Sequence, residues 1–325
     1  MPVSPAIDTV ERVLFLKRSP QMAGLSAAEL SAIAEQMSER SFQAASVILR
    51  EGEPVGSTYV IVEGRVRITH RGRPVAEAGP GSALAAIAVL SRDYERFQAV
   101  AETDVLALEL DAETLLEIFE DHFDILRRVI EVTARRLLEL RGPELLAEAP
   151  LVDMSGAKAR GMDLVERILF MRRKGPFRNS SINALAELAH SLREVSFDPG
   201  VTLWNEGDPS GSVLVLLSGS VRCTASEGSL FRVGPGCPVG DLESVALETR
   251  RYSAVTEAHV NALAGSVDGL MDVLEDNFEM AVAFLANLAR QSLDLVERLA
   301  VSGHEMRNFL FLTEEGGFTS RHLAP

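Results

Sequence analysis

Tyr59-Val60-Ile61-Val62-Glu63-Gly64-Arg65-Val66 carries apolar side chains at Val60, Val62 and Val66, with Ile68 continuing the series beyond a glycine turn. A two-residue period broken by turn residues is the mark of a β-strand pair. The same pattern returns 155 residues later as Leu214-Val215-Leu216-Leu217-Ser218-Gly219-Ser220-Val221. The offset holds in both directions. Val165-Glu166-Arg167-Ile168-Leu169-Phe170 falls on Val10-Glu11-Arg12-Val13-Leu14-Phe15, and glycines 207, 211, 219, 234 and 236 fall on Gly52, Gly56, Gly64, Gly79 and Gly81. An ungapped register over about 130 residues means two copies of one domain, so each position can be read against its twin.

Each copy has the same order of elements. Residues 7–18 and 162–173 read as short amphipathic helices. A second helix starts at Ser26, where Glu29 completes a capping box ahead of Leu30, Ile33 and Met37; its twin at Ser181, with Leu185, Leu188 and Leu192, lacks the glutamate. From Phe42 to Leu110 short strands alternate with turns at Glu63-Gly64, Arg71-Gly72 and Gly79-Pro80-Gly81, which implies a rolled antiparallel β-structure. A helical period resumes after Asp111 and runs to about Leu140, and its twin runs from Asp268 to about Ala300. Ile130, Thr133, Leu137 and Leu140, with Leu285, Leu288, Ser292 and Leu295 as twins, form an apolar stripe on each. The stripe fits packing on the helix's own roll, pairing within the chain, or a homo-oligomer.

The fold class is therefore mainly β with flanking helices (α+β), in two tandem rolls of the jelly-roll type. They span residues 1–141 and 162–300, with a Gly-, Pro- and Ala-containing linker at 142–161 and a tail at 301–325. A hydrophobic content of 46% beside 24% charged residues places the chain with globular rather than disordered proteins. The net charge of −15 is shared, with 24 acidic and 16 basic side chains in residues 1–150 and 23 and 16 in the remainder. Nucleic acid needs a basic face, and neither half supplies one, so no nucleic-acid partner is expected. Cys223 and Cys237, without a Cys-x-x-Cys motif, read as buried thiols, and no metal site is expected. The N-terminus has no signal-peptide pattern and no apolar run is long enough to span a bilayer. The expected location is cytoplasmic, with no membrane association.

Phe42 through Glu51-Gly52-Glu53-Pro54 and Tyr59 to Val66, repeated by Phe197 through Glu206-Gly207-Asp208-Pro209 and Leu214 to Val221, resemble the opening strands of the cyclic nucleotide-binding domain family. That family includes cyclic-AMP receptor proteins and protein kinase A regulatory subunits. The resemblance implies two tandem cyclic nucleotide-binding-type β-rolls. It also implies a phosphate-binding cassette reading Gly-Glu-Leu, a short helix, then Pro-Arg-x-Ala-Thr or Ser. In that cassette helix-terminal amides and one arginine hold the cyclic phosphate, and the glutamate accepts the ribose hydroxyl.

In the second copy Gly240-Asp241-Leu242 precedes Thr249-Arg250-Arg251-Tyr252-Ser253, which places Arg250 on the phosphate arginine and Ser253 on the hydroxyl. Three departures stand out. Asp241 is a methylene shorter than glutamate, Thr249 replaces proline, and Tyr252 is bulky where alanine leaves room for the ligand. A bound cyclic AMP or cyclic GMP, an altered preference, and a pocket filled by Tyr252 all fit these letters. In the first copy Ala85, Ala86, Glu95 and Gln98 occupy the glycine, glutamate, arginine and hydroxyl positions, and no nucleotide is expected there. A charge-assisted hydrogen bond contributes roughly 1.5–3 kcal/mol against the roughly 8 kcal/mol of micromolar binding, so exchanging arginine for glutamate removes the affinity. Arg92 and Arg96 stand nearby, outside the family position.

Trp204, twin of Leu49, reads as a core or interface side chain rather than a base-stacking platform. The six histidines are scattered singly, no catalytic constellation can be assembled, and neither an enzyme nor a bound cofactor is expected. With 25 residues after Ala300 no winged helix is expected there, and no kinase-inhibitory segment of the Arg-Arg-x-Ser type is expected ahead of the first copy. The expected function is a cytoplasmic regulatory or adaptor protein that senses a cyclic nucleotide through the second roll and acts on another protein. The alternative is a ligand-free scaffold.

Overall fold

The computed structural model describes residues 7–18, 25–146, 161–173, 176–228 and 230–301. The first repeat opens with α1 (Thr9–Arg18) and α2 (Ala27–Gln36), the second with α6 (Leu164–Arg173) and α7 (Ile182–Ser191). Asp8 and Glu11 close the start of α1 reciprocally, each backbone N–H donating to the other's carboxylate at 3.2 and 2.8 Å. Asp163 and Glu166 repeat this at 3.1 and 2.9 Å. Arg12 then donates to the Ile7 and Met37 carbonyls, and Arg167 to those of Met162 and Leu192, which ties the first helix to the end of the second. The repeated Glu-Arg pair therefore makes the same contacts in both copies, while Val10 and Val165 are exposed. The expected capping box is present, with the Ser26 hydroxyl accepting from Glu29 N at 3.3 Å, and Ser181 caps α7 alone.

The first roll comprises β1 (Ser38–Phe42), β2 (Val47–Leu49), β3 (Ser57–Glu63), β4 (Val66–His70), β5 (Arg73–Ala78), β6 (Ala83–Leu84), the short helix α3 (Ala86–Ser91), β7 (Gln98–Ala101) and β8 (Val105–Asp111). Its two antiparallel sheets run β1-β8-β3-β6 and β2-β7-β4-β5. The second roll repeats them as β9 (Arg193–Phe197), β10 (Thr202–Trp204), β11 (Ser212–Ser218), β12 (Val221–Thr224), β13 (Leu230–Val233), β14 (Pro238–Val239), α8 (Asp241–Val245), β15 (Ser253–Thr256) and β16 (Val260–Ser266). Its sheets run β9-β16-β11-β14 and β10-β15-β12-β13, so the order of strands matches the first roll position by position. The alternating pattern buries Val60, Val66 and Ile68 in one roll and Leu214, Leu216, Val221 and Cys223 in the other, but Val62 is only half-buried and Ile61 is buried, because the β3–β8 register shifts between Ile61 and Glu63.

The long helical stretches differ from the single helices that the sequence period suggests. Each breaks into two, α4 (Ala112–Asp121) with α5 (Phe123–Leu146), and α9 (Val267–Asp276) with α10 (Phe278–Val301). His122 and its twin Asn277 leave the helical backbone, with φ/ψ of −136/81° and −133/73°. Their carbonyls accept the first amides of the following helix, so each residue ends one helix and starts the next. Residues 142–146 of the expected linker continue α5; residues 147–160, and 302–325 of the expected tail, lie outside the described residues.

The chain divides into two compact units, and the division cuts the last helix of each repeat. One unit holds residues up to Arg128 together with Ala289 onward; the other holds Val129–Leu288. Each unit thus combines one roll with the distal part of the other repeat's final helix, from Val129 of α5 in one case and from Ala289 of α10 in the other. Ile130, Leu137, Leu140, Leu285, Leu288 and Leu295 are all buried.

Gly64 and Gly219 close the β3–β4 and β11–β12 turns at φ of 96° and 82°. A methyl group at either would lie 2.4 Å from a backbone oxygen, Asp104 O or His259 O. Gly219→Ala is expected to destabilise by about 2 kcal/mol or more, from left-handed strain plus the clash. Gly207→Ala, at φ 88° with nothing within 4 Å, is expected to lose only the conformational part. Urea unfolding of the two variants measures the difference.

Candidate functional site

The second cassette begins where β14 ends at Gly240, which takes a left-handed backbone (φ 74°, ψ 17°) and turns the chain into α8. The turn lets Arg250 reach in from the segment before β15, and a methyl group on Gly240 would lie 2.2 Å from Arg250 Nη1. Arg250 is only 3% exposed. Its Nη1 donates to Gly240 O at 2.7 Å and to the Ser244 hydroxyl at 3.2 Å. Nη2 donates to Ser212 O at 2.7 Å and to the Ser212 hydroxyl at 3.3 Å, while Nε has no hydrogen-bond partner. The guanidinium carbon lies 4.2 Å from the centre of the Trp204 ring, a cation–π contact inside the roll. Burial pulls the arginine's pKa down, and Glu243, Tyr252, Asp241 and Asp208 oppose that shift.

Tyr252 is 4% exposed and packs edge-on against Phe231, with ring centres 4.9 Å apart. Its hydroxyl accepts the Gly240 N–H at 3.1 Å. Burial drives its pKa well above the ordinary tyrosine value. Trp204 belongs to the same core, as the sequence suggests, with its ring centre 6.1 Å from that of Tyr252. Around these residues Asp241 is half-buried at the start of α8, Leu242 is buried, and the Ser253 hydroxyl accepts from Glu206 N at 2.9 Å. Arg251 points elsewhere and donates to Leu138 O of α5 at 3.2 Å.

Sequence reasoning passed over Glu243. This carboxyl is 2% exposed, its Oε1 has no hydrogen-bond partner, and it adds to the rise that burial gives the pKa of both Cys223 and Tyr252 in the roll interior. Burial raises its own pKa, its backbone N–H opposes that, Asp241 adds to it, and Arg250 and Arg251 act against it. The signal was available, because the twin position holds Ala88 and a glutamate within a buried one-turn helix is out of place there.

In the first roll Ala85 keeps the left-handed turn (φ 63°) with a side chain where its twin has glycine, and Ala86 opens α3. Glu95 occupies the position of Arg250, is 6% exposed, and accepts the Phe97 N–H at 3.0 Å. Burial pushes its pKa up from 4.5 to about 7, against the backbone N–H groups of Phe97 and Arg96 and the Arg96 charge, with Glu51 adding to the rise. Gln98 starts β7. The two cassettes therefore share a backbone path and place an arginine in one where the other has a buried carboxyl.

Each cassette also meets a helix of the other repeat within its own unit. Arg135 of α5 donates to Ala246 O at 3.2 Å and pairs with Glu248 at 2.9 Å. Arg290 of α10 donates to Ser91 O at 3.4 Å. Arg290 is the twin of Arg135, and Ser91 is the twin of Ala246, so one contact is made twice.

Residues 39–122 and 194–277 each match the cyclic nucleotide-binding domain, together just over half of the chain. This chain belongs to the cyclic nucleotide-binding domain family. It is 29% identical over 163 residues to a CRP-like cAMP-activated global transcriptional regulator of Mycobacterium tuberculosis, a match covering 45% of this chain and 73% of that protein. Among solved structures, a regulatory subunit of a cAMP-independent protein kinase A from Trypanosoma brucei is 18% identical. It covers 92% of this chain and 93% of that one at a TM-score of 0.35. The N-terminal domain of a transcriptional regulator from Streptomyces coelicolor is 28% identical over 40% of this chain and 94% of that one, with a TM-score of 0.37. Among the described residues no group of three or more His, Cys, Asp or Glu could hold a metal ion, and no helix is long and apolar enough to cross a membrane.

The buried Glu95 carboxyl makes stability depend on pH. Its folded pKa is raised, so its contribution is fully present below about 4.5 and is lost as pH rises through about 7. The shift corresponds to roughly 3 kcal/mol. Urea unfolding at pH 5 and pH 8 is expected to show most of that loss in the wild type and to show it strongly reduced in Glu95→Gln.

Proposed function

We propose that this protein is a regulatory member of its family whose second roll holds its cassette closed with its own side chains and acts through contacts with another protein. The carrying observation is that the family's phosphate-binding groups are engaged internally. Arg250 donates to Gly240 O and Ser212 O, and the Gly240 N–H donates to the Tyr252 hydroxyl. Glu243 adds a buried carboxyl to the same interior. A cyclic nucleotide would have to break two charge-assisted hydrogen bonds, each roughly 1.5–3 kcal/mol. It would also have to expel an aromatic ring whose core packing is worth roughly 3–5 kcal/mol. Micromolar binding supplies only about 8 kcal/mol, so the exchange leaves little or nothing. Glu95 in the first roll puts a carboxyl in the place of the arginine that would hold an anion, which supports the same reading. The protein is read as non-enzymatic and cytoplasmic.

A second reading, a cyclic-nucleotide sensor, is favoured by Arg250 and Ser253 standing at the family positions behind Gly240-Asp241-Leu242. It is also favoured by the mycobacterial relative described as cAMP-activated. Isothermal calorimetry with cyclic AMP and cyclic GMP separates the two. The closed-cassette reading expects no binding tighter than about 1 mM in the wild type, with measurable affinity appearing in Tyr252→Ala combined with Glu243→Gln. Micromolar binding by the wild type that Arg250→Ala abolishes would overturn it in favour of the sensor.

A further inference from the structure

His70, the last residue of β4, is 5% exposed and has Ala225 as its twin, so the imidazole belongs to the first roll alone. Its Nδ1 lies 2.8 Å from Arg96 O, a carbonyl that can only accept, which assigns the hydrogen to Nδ1. The Glu51 carboxylate stands 3.4 Å from the same nitrogen. Nε2 has no hydrogen-bond partner and lies 3.7 Å from Glu297 Oε1, on the distal half of α10. Both ring nitrogens therefore face oxygen acceptors. A neutral ring directs its lone pair at the Glu297 carboxylate, whereas an imidazolium directs an N–H at it.

The charged groups around the ring come from every element packed on it. The β2–β3 connection supplies Glu51, whose other oxygen accepts the Arg71 N–H at 2.8 Å. The β4–β5 turn supplies Arg71, 3.7 Å from Glu297. The α3–β7 connection supplies Glu95, Asp93 and Arg96, the last bound to Asp93 at 2.9 Å, to Asp294 at 3.3 Å and to Glu297. Helix α10 supplies Asp294 and Glu297. Helix α10 also supplies Arg290, whose charge acts on Asp93. Apart from Glu95, four carboxylates meet three guanidinium groups, so a proton on His70 reduces an excess of negative charge.

We infer that His70 is a proton-operated latch that fastens residues 289–301 of α10 to the first roll as pH falls. The latch is independent of whether either roll binds a nucleotide. Acidification adds an N–H donor and a positive charge between Glu51 and Glu297; a rise in pH leaves the Arg71 and Arg96 contacts to hold the helix without it.

The test uses the full chain carrying Glu95→Gln, so that this carboxyl does not contribute, and compares it with the same chain further changed by His70→Ala or Glu297→Gln. Hydrogen exchange of residues 289–301, corrected for intrinsic rates, is measured at pH 6 and pH 8. The expected result is a protection factor at least threefold higher at pH 6 in the background, no such gain in either variant, and no further loss when both are combined. Thermal midpoints over the same range should follow the same order. Equal pH dependence in all three chains, or protection in the background that does not change with pH, would overturn the latch. Glu297→Gln lies on the half-exposed side of the contact, so the comparison survives if His70→Ala fails to fold.

Discussion

A guanidinium removed from water needs acceptors inside the protein, and Arg250 finds them in the carbonyls of Gly240 and Ser212. That requirement organises the second cassette. Gly240 must lack a side chain to admit the arginine, Trp204 must offer its face to the charge, and α8 must begin where its first carbonyl can accept. Tyr252 fills what remains and satisfies the neighbouring amide. With the acceptors in place the buried cation is held without an external anion.

The duplication provides an internal control on this arrangement. Ala85 adopts the same left-handed turn as Gly240 although the twin of Arg250 is Glu95, so the backbone path is kept without the arginine that uses it in the other copy. Glu95 reverses the sign at that place and is buried as deeply as a near-neutral carboxylic acid allows. Arg135 and Arg290 changed neither in type nor in the carbonyl that they address. What was retained in both copies is the grip of a final helix on a cassette; what diverged is the content of the cassette.

The fold was legible wherever short-range chemistry decides it. Glycine spacing located the turns, a two-residue period located the strands, and Ser26 with Glu29 marked a helix start that the structure repeats. The breaks at His122 and Asn277 were not legible, because the apolar stripe continues through them and only backbone geometry reveals the interruption. The positions of Arg250, Tyr252 and Ser253 relative to Gly240 followed from the resemblance, but where their donors point depends on side chains distant in sequence, such as Ser212 and Trp204. Glu243 escaped notice, and His70 read only as one of six scattered histidines, for a related reason. Each is a lone polar letter whose burial is set by strands or helices far along the chain.

The division of each final helix between compact units bears on how such a chain can evolve. When a subunit's helix completes a separate copy, a mutation appears on both sides of the contact at once, and every change must suit itself. Here the two contributors are tied into one polypeptide at fixed one-to-one stoichiometry, and each can vary alone. Asymmetry of the kind seen at positions 70, 95 and 243 is what that freedom permits, and a fragment cut at residue 150 would separate each roll from a helix segment grown by its sibling.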